Sequence, residues 1–598
     1  MCGVNMVVND PTHGQEIINS LMDANRHRGP DHSDWVKIND GTFLAGNRLK
    51  TLDLDDSANQ PLVDQKNGVY LVWNGFLYNY AELKNHLLNL GEEFLTRSDG
   101  EVLLKWLQRF GLKGMKALNG MYALAFVDAI KGVVIIARDP TGMKPLYYLR
   151  RNDKLYCASE VKSLQNSLSP SDSFDEDQIV PYLFLRHAMP NSSFLKEIKE
   201  LSPGTVKIFN LNGVFISGHK INIEPDNVSP KTSEKFESLL KDAILKHLHA
   251  DVPIGILLSG GADSALLYHI WCKETRKPLP TYTIAFEQPF DRNNEDARFA
   301  RSLAKKYHGE HHEILVSPDF FLKKWPDYIK TLDQPIGDSA GFLTWLIAEK
   351  AKEKVKILIS GAGADELWGG YNRHKAFKVY LRYHGWVNFF VRLKIFSSLM
   401  GRSGNKMLNA NHPLAERTFM NYAALMPLPE KLAKTMLERY PSDLTSFKSA
   451  LEWDRSFYLV NDVLKIHDNA CMVYGIEGRA PYLDGPMIAF SKGMDEKMHL
   501  ELPSKFWIKG MLEKEGLEGF ANRKKTGFGL PIREWLLTHP GFRTAVFSGL
   551  KYLEKNYPSW IPGECLNLIK YPEKHVKENF LLFYNVFVLS EWIKENQL

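Results

Sequence analysis

The amino-acid sequence predicts an α+β domain rich in antiparallel sheet, followed by an α/β domain on a parallel sheet with a helical C-terminal part. Three observations carry this. Short apolar strands bounded by Asn, Gly and Asp fill the chain up to about Phe215, a polar stretch containing Pro225 and Pro230 follows, and strands then alternate with helices. A chain of 598 residues, 44% of them hydrophobic, can fill more than one core.

Taken in order, the first part reads as helices over 14–25, 80–90 and 100–111 among strands over 68–73, 121–128, 133–138 and 155–159. Residues 218–232 show neither helical nor strand periodicity, which sets the domains at 1–215 and 233–598 with a linker over 216–232. The second part opens with a helix over 233–249, a strand over 255–258, a glycine turn and a helix over 264–275. A strand over 281–286 and a helix over 295–307 continue the rhythm of a doubly wound sheet. After about Tyr371 the chain turns helical and aromatic, and 451–473 reads as one long helix whose apolar stripe is core.

Composition excludes several classes. A formal net charge of +5 with 24% charged residues leaves no broad footprint for nucleic acid or an anionic membrane. The cysteines at 2, 157, 272, 471 and 565 form no CxxC pair and no metal-ligand spacing, which fits a reduced cytoplasm. The start MCGVNMVVNDPTHG lacks the basic and long apolar regions of a leader, and no apolar run approaches the ~18 residues of a membrane span. A cytoplasmic enzyme is expected, and a homodimer is an assembly that the sequence leaves open.

Cys2 is the first residue with chemistry. With Met1 removed it would carry a thiol and a free α-amine of pKa about 7.7–8.0, close enough to a thiol near 8.5 to act as its base. Later segments supply what a thiolate attacking a side-chain amide needs: Arg48 in NRLKTLDL, Asn74 and Gly75 in WNGFLYNYAEL, and Asp99 in TRSDGEVLL. An arginine can grip a carboxylate, an aspartate an ammonium, and an amide with a backbone N–H can cradle an oxyanion.

At these segments, together with RHRGPD over 26–31 and ARDPTGMKPLYY over 137–148, the sequence resembles the N-terminal-nucleophile, class II glutamine amidotransferases. The resemblance implies Cys2 as nucleophile, Arg48 and Asp99 as glutamine ligands, and Asn74 with Gly75 as the oxyanion hole. Phe76 departs from it, because glutamate usually follows the Asn-Gly pair.

The second motif, DVPIGILLSGGADSALL over 251–267, is an apolar strand, a loop Ser259-Gly260-Gly261-Ala262-Asp263-Ser264, and a helix. Glycines let backbone N–H groups approach a pyrophosphate beside a helix N-terminus. No GK[ST] follows, so this is not a Walker loop, and Asp263 beside polyphosphate calls for Mg²⁺ between them. The loop resembles the PP-loop of ATP pyrophosphatases. A third segment, ILISGAGADELWGGYNRH over 357–374, repeats strand, Ser-Gly turn and paired carboxylates, Asp365 and Glu366, so both loops should meet at one crevice.

With NACMVYGIEGRAPYLD over 469–484, Lys509 in FWIKGML and NRKKTGFGLPIREWL over 522–536, the order resembles the synthetase domain of the asparagine synthetases. The resemblance implies that Ser259, Gly260, Gly261, Asp263 and Ser264 hold the phosphates of ATP, and that Leu258, Ile284, Ser360 and Gly361 bind adenosine. Lys509 would steady charge at the acyl-adenylate, Asp263 and Asp365 would hold Mg²⁺, and Glu366 is a further candidate. Arg479 and Lys524 are weighed between a phosphate role and ordinary solvation. Ala362 stands where the family places an acid that helps ammonia lose its proton; Asp365, Glu366 and His374 are the candidates to replace it.

The expected activity is glutamine-dependent conversion of aspartate to asparagine with ATP and Mg²⁺, the ammonia crossing a dry tunnel between the domains. Amidation of another carboxylate, such as a uronic acid of a surface polysaccharide precursor, is the alternative that Ala362 supports. A glucosamine-6-phosphate synthase lacks the PP-loop and a β-lactam synthetase lacks the nucleophilic cysteine. An inactive homologue would not need Cys2, Asp263 and Lys509.

Overall fold

In the computed structural model, residues 2–168, 174–290, 294–393, 410–439, 445–523 and 527–597 are described. The apolar segments of the first part form β1 (Cys2–Val8), β2 (His32–Asn39), β3 (Thr42–Arg48), β4 (Leu62–Asp64), β5 (Val69–Leu77) and β6 (Gly120–Asp128). They continue as β7 (Val133–Arg138), β8 (Tyr147–Arg151), β9 (Lys154–Ala158), β10 (Lys199–Glu200), β11 (Thr205–Asn210) and β12 (Phe215–Lys220). One sheet runs β10-β8-β9-β1-β3-β2 and the other β12-β11-β7-β6-β5-β4.

Their inner faces meet through Val4, Met6, Val72, Ala125, Val134 and Ile136. The helices Gly14–Ala24 and Val161–Leu168 pack on one outer face, and Tyr80–Asn89 and Asp99–Gly114 on the other. Because both faces are covered, β1 and most of β6 are buried at every position, which explains continuous apolar runs where an open sheet would alternate.

The second part is a parallel sheet of β13 (Ile254–Leu257), β14 (Thr281–Phe286), β15 (His311–Val316), β16 (Ile357–Ile359) and β17 (Glu477–Arg479), ordered β15-β14-β13-β16-β17. Helices follow to the C-terminus, ending in Pro572–Asn596.

Three expectations change. β12 pairs with β11 as far as Lys220, so the first sheet outruns the expected boundary at 215; its exposed edge lacks the alternation that would announce a strand. The stretch 451–473 is not one helix: Phe447–Ser456 and Lys465–Met472 flank a π-helical turn over Leu459–Leu464. The wider turn begins after Phe457, which departs from helical geometry (φ −116°, ψ −69°), and Asp462 within it meets Arg186 at 3.4 Å. Finally, the helix Ile179–Leu185 leaves the sandwich to join the core of the second part, where Tyr182 Oη donates to the Asn585 carbonyl at 3.0 Å.

The two parts share a buried charge cluster. Arg28 donates to Glu160 (2.9 Å) and to Asp468 (2.7 Å), and Lys144 reaches the other oxygen of Asp468 at 3.3 Å. Burial alone would protonate Asp468, yet the two cations hold its carboxyl below the usual range. Asp468→Ala should leave Lys144 buried without its carboxylate and Arg28 with Glu160 alone, and cost about 3–5 kcal/mol. Urea unfolding followed by tryptophan fluorescence measures this, with Asp23→Ala, from an exposed pair with Arg26, expected to cost below about 1 kcal/mol.

Candidate active sites

The register of β1 against β3 sets Cys2 opposite Arg48. The Cys2 backbone N–H donates to Asn74 Oδ1 at 3.0 Å, and Gln60 Nε2 donates to Cys2 Sγ at 3.2 Å while its carbonyl accepts from the Trp73 N–H at 2.7 Å. Gln60 lay in an unremarked turn of the sequence. Asn74 Nδ2 is buried with no partner among the described residues, the state expected of a donor kept for an oxyanion. Gly75 is required beside it, since a Cβ there would stand 2.2 Å from the Met121 carbonyl.

Asp99 opens the helix Asp99–Gly114, and its Oδ2 accepts from the Leu77 N–H at 3.1 Å. Burial pushes its carboxyl up to about 7. Arg48 uses its terminal N–H groups on the carbonyls of Leu52, Asp53 and Asp55 and on Asn59 Oδ1 (2.8 Å). It therefore clamps the loop that leads into Gln60, the residue bonded to Cys2 Sγ. Phe76 lies under the Arg479 guanidinium, 4.1 Å from the ring centroid, so the residue that departs from the amidotransferase pattern touches the other domain.

At the parallel sheet, the loops after β13 and β16 leave from adjacent strands. Gly260 adopts φ +68°, and a Cβ on it would meet the Asp296 carbonyl at 2.1 Å. Ser264 Oγ accepts from the Ser259 N–H at 3.1 Å. A Cβ on Gly361 would lie 3.2 Å from that of Asp263, so the two loops touch. Leu258 and Ile284 bond and pack within the central strands, and the Ser360 N–H donates to the Arg479 carbonyl at 2.9 Å.

Among the described residues, the lysine that pairs with carboxylates of both loops is Lys505. Its Nζ stands 2.6 Å from Asp263 Oδ2 and 2.5 Å from Asp365 Oδ1, and the two carboxylates raise its pKa further. Lys509, expected here, sits one turn along the helix Phe506–Lys514 and makes no ion pair with either carboxylate among the described residues. Lys505 reaches the pair because it enters that helix in the left-handed region, φ +62°. Arg479, weighed between a phosphate role and solvation, is buried against Glu477 (2.6 Å) and the carbonyls of His247 (2.7 Å) and His249 (3.0 Å) at the domain seam. Lys524 lies outside the described residues; Arg523 beside it donates to the Gly260 carbonyl at 2.6 Å.

Glu366 accepts from Tyr371 Oη at 2.5 Å, and burial followed by the charge of Asp365 raises its carboxyl to about 7. His374 is fully buried and bonds Asp454 at 2.6 Å. Ala362 packs its methyl against apolar neighbours. Asp263 Oδ1 is buried without a partner among the described residues.

Compared with known proteins, the Asparagine synthase family profile matches residues 235–577, and the Glutamine amidotransferase domain profile matches 1–219. The chain belongs to the asparagine synthase family. It is thus a glutamine-dependent ligase by family. Asparagine synthetase [glutamine-hydrolyzing] 1 of Bacillus subtilis is 29% identical over 565 residues, 90% of this chain and 88% of that one. Asparagine synthetase [glutamine-hydrolyzing] 3 of the same organism is 26% identical over 522 residues, 83% and 82% of the two chains. Among solved structures, glutamine phosphoribosylpyrophosphate amidotransferase from B. subtilis matches 53% of this chain and 82% of its own at 15% identity, with a TM-score of 0.29. No helix among the described residues is long and apolar enough to cross a membrane.

Asp99 generates a pH prediction. Its carboxyl is raised, so the ionised form that could hold an ammonium is lost as pH falls through about 7. In Cys2→Ala, which leaves no thiol to titrate, the Kd for glutamine should rise about tenfold per pH unit below 7 and level off above it. Calorimetry across pH 5–9 measures this, and adding Asp99→Asn should leave weak binding with no such limb.

Proposed function

We propose that the chain hydrolyses glutamine at Cys2 and passes the ammonia to a carboxylate activated as an acyl-adenylate, converting aspartate to asparagine with release of AMP and pyrophosphate. The observation that carries the reading is Lys505 held between Asp263 and Asp365, one from each loop of the second part, in a chain whose first part keeps an unpartnered Asn74 donor beside Cys2.

In the first half-reaction the Cys2 thiolate attacks the glutamine amide, with Asn74 Nδ2 and the Gly75 N–H receiving the oxyanion. Ammonia leaves, and water hydrolyses the thioester to glutamate. Asp99 would hold the ammonium of glutamine. Arg48, already spent on the 52–55 carbonyls, would act on its carboxylate through the loop it orders or through its remaining N–H.

In the second, an acceptor carboxylate oxygen attacks the α-phosphorus of ATP and pyrophosphate leaves. Backbone N–H groups of Ser259, Gly260 and Gly261 and the hydroxyl of Ser264 would hold that pyrophosphate, with adenosine against Leu258, Ile284, Ser360 and Gly361. Mg²⁺ on Asp263 and Asp365 would supply charge neutralisation at the phosphates. Lys505 takes the role expected of Lys509, offsetting charge as the adenylate forms and as AMP leaves.

Ammonia would cross the largely apolar layer in which Phe76, Met121 and Met143 pack against Leu258 and Ile359. For the proton given up on attack, Glu366 is the candidate: it pairs with no cation and accepts only from Tyr371 among the described residues, whereas Asp365 is paired with Lys505 and His374 with Asp454. Ala362 supports the second reading, an acceptor other than aspartate such as a uronic acid.

Cys2→Ala should abolish glutamate release yet keep AMP formation when ammonium replaces glutamine, since a lost nucleophile costs several orders of magnitude in its own half-reaction alone. If that variant makes AMP with ammonia and a uronic acid but none with aspartate, the second reading replaces the first; loss of both half-reactions in folded protein would sink the scheme.

Lys505→Met should lower pyrophosphate release by about 10²–10³, the usual loss for a preorganised charge at a transition state. Lys509→Met should stay within a few-fold, and the reverse order in the same radiolabelled-ATP assay would return the role to Lys509.

A further inference from the structure

Cys2 is met by two side-chain amides that face opposite ways. Asn74 offers its oxygen to the Cys2 nitrogen at 3.0 Å, and Gln60 offers its Nε2 to the sulfur at 3.2 Å. The Gln60 amide has one workable orientation: its Oε1 accepts from the Trp73 N–H at 2.7 Å, so a turned amide would set donor against donor. The end that reaches Sγ is therefore always the donor. The side chain is buried, and Gly46 of β3 leaves the room it fills, since a Cβ there would stand 2.7 Å from that of Gln60.

Arg48 stands opposite Cys2 in β3, with the carboxylates of Asp53, Asp56 and Asp99 around it in turn. Its terminal N–H groups go to the loop carbonyls and to Asn59, which leaves Gln60 as the side chain that donates to the sulfur among the described residues. When the thiol proton passes to the α-amine, sulfur becomes an anion and nitrogen an ammonium. A donor on the first and an acceptor on the second both favour that charged pair over the neutral one.

We infer that Gln60 is a positioning residue for the nucleophile, stabilising the Cys2 thiolate through an N–H whose direction Trp73 fixes. The inference rests on the glutaminase reading for its purpose, while its readout, alkylation of the thiol, does not.

Gln60→Glu is the discriminating variant, because an oxygen still accepts from the Trp73 N–H while the end at Sγ is no longer an amide donor. On the full chain with Met1 removed, alkylation of Cys2 by iodoacetamide is followed by mass spectrometry of the N-terminal peptide. At pH 7 the variant should react about tenfold or more slowly than the parent, and the deficit should close as pH rises to 10, where the thiol ionises without help. Gln60→Met loses the donor without adding charge; its deficit should be about threefold with the same pH dependence, and it keeps the test open if Gln60→Glu does not fold. Alkylation at the parent rate at pH 7, or a deficit equally large at pH 10, as from altered packing alone, would overturn the assignment. A parent that releases no glutamate from glutamine, yet loses reactivity at pH 7 in both variants, would bear out the role of Gln60 and sink the glutaminase reading alone.

Discussion

Asp468 holds Arg28 on one oxygen and Lys144 on the other inside the protein, and both cations come from the opposite half of the chain. Separating them would strip Asp468 of both cations and Lys144 of its carboxylate, leaving Arg28 with Glu160 alone, so the halves are fixed against each other. The rest of the seam follows. Lys144 also reaches the Gly478 carbonyl of β17, Thr51 Oγ1 donates to Glu477 at 3.0 Å, and Arg479 lies on Phe76. The strand that closes the parallel sheet thereby borders the pocket of Cys2, and two chemistries that share no residue share a wall.

Much of this was legible because it rests on periodicity and on glycine. The strand runs, the loops over 259–264 and 360–366, and the Asn74-Gly75 pair are written in residue types that few other structures would require. What was illegible depends on how an element begins. A helix carrying Lys505 and Lys509 presents both along one side, and only the left-handed entry at Lys505 decides which reaches the carboxylates. The π-helical turn is a one-residue slip that a periodicity scan averages away. Gln60 belongs to no motif in the sequence because its partners, Sγ of Cys2 and the Trp73 N–H, are brought to it by two different sheets. Arg479 shows that an arginine in a polar-looking segment can be wholly interior when carbonyls and a carboxylate wait for it.

Both departures from the family pattern replace an acid with an apolar side chain, and each has a local logic. A carboxylate at position 76 would stand against Arg479, which already has Glu477; the phenyl ring keeps the cation company without a second charge. Ala362 lies in the apolar layer joining the halves, next to a loop whose other acids, Asp365 and Glu366, are engaged by Lys505 and Tyr371. The acidity of the site is redistributed within one loop.

The helix Ile179–Leu185 belongs to the first part by sequence and to the second by packing, with Asn585 returning a bond from its Nδ2 to the Tyr182 carbonyl at 2.9 Å. The halves are therefore spliced, not merely docked. A glutaminase half lifted from a sibling and grafted here would arrive with its own version of this segment and would have to fit the far core as well as the seam, so recombination between relatives is constrained at a place remote from either reaction. Change in such a molecule should travel as matched sets of residues on both sides of the splice.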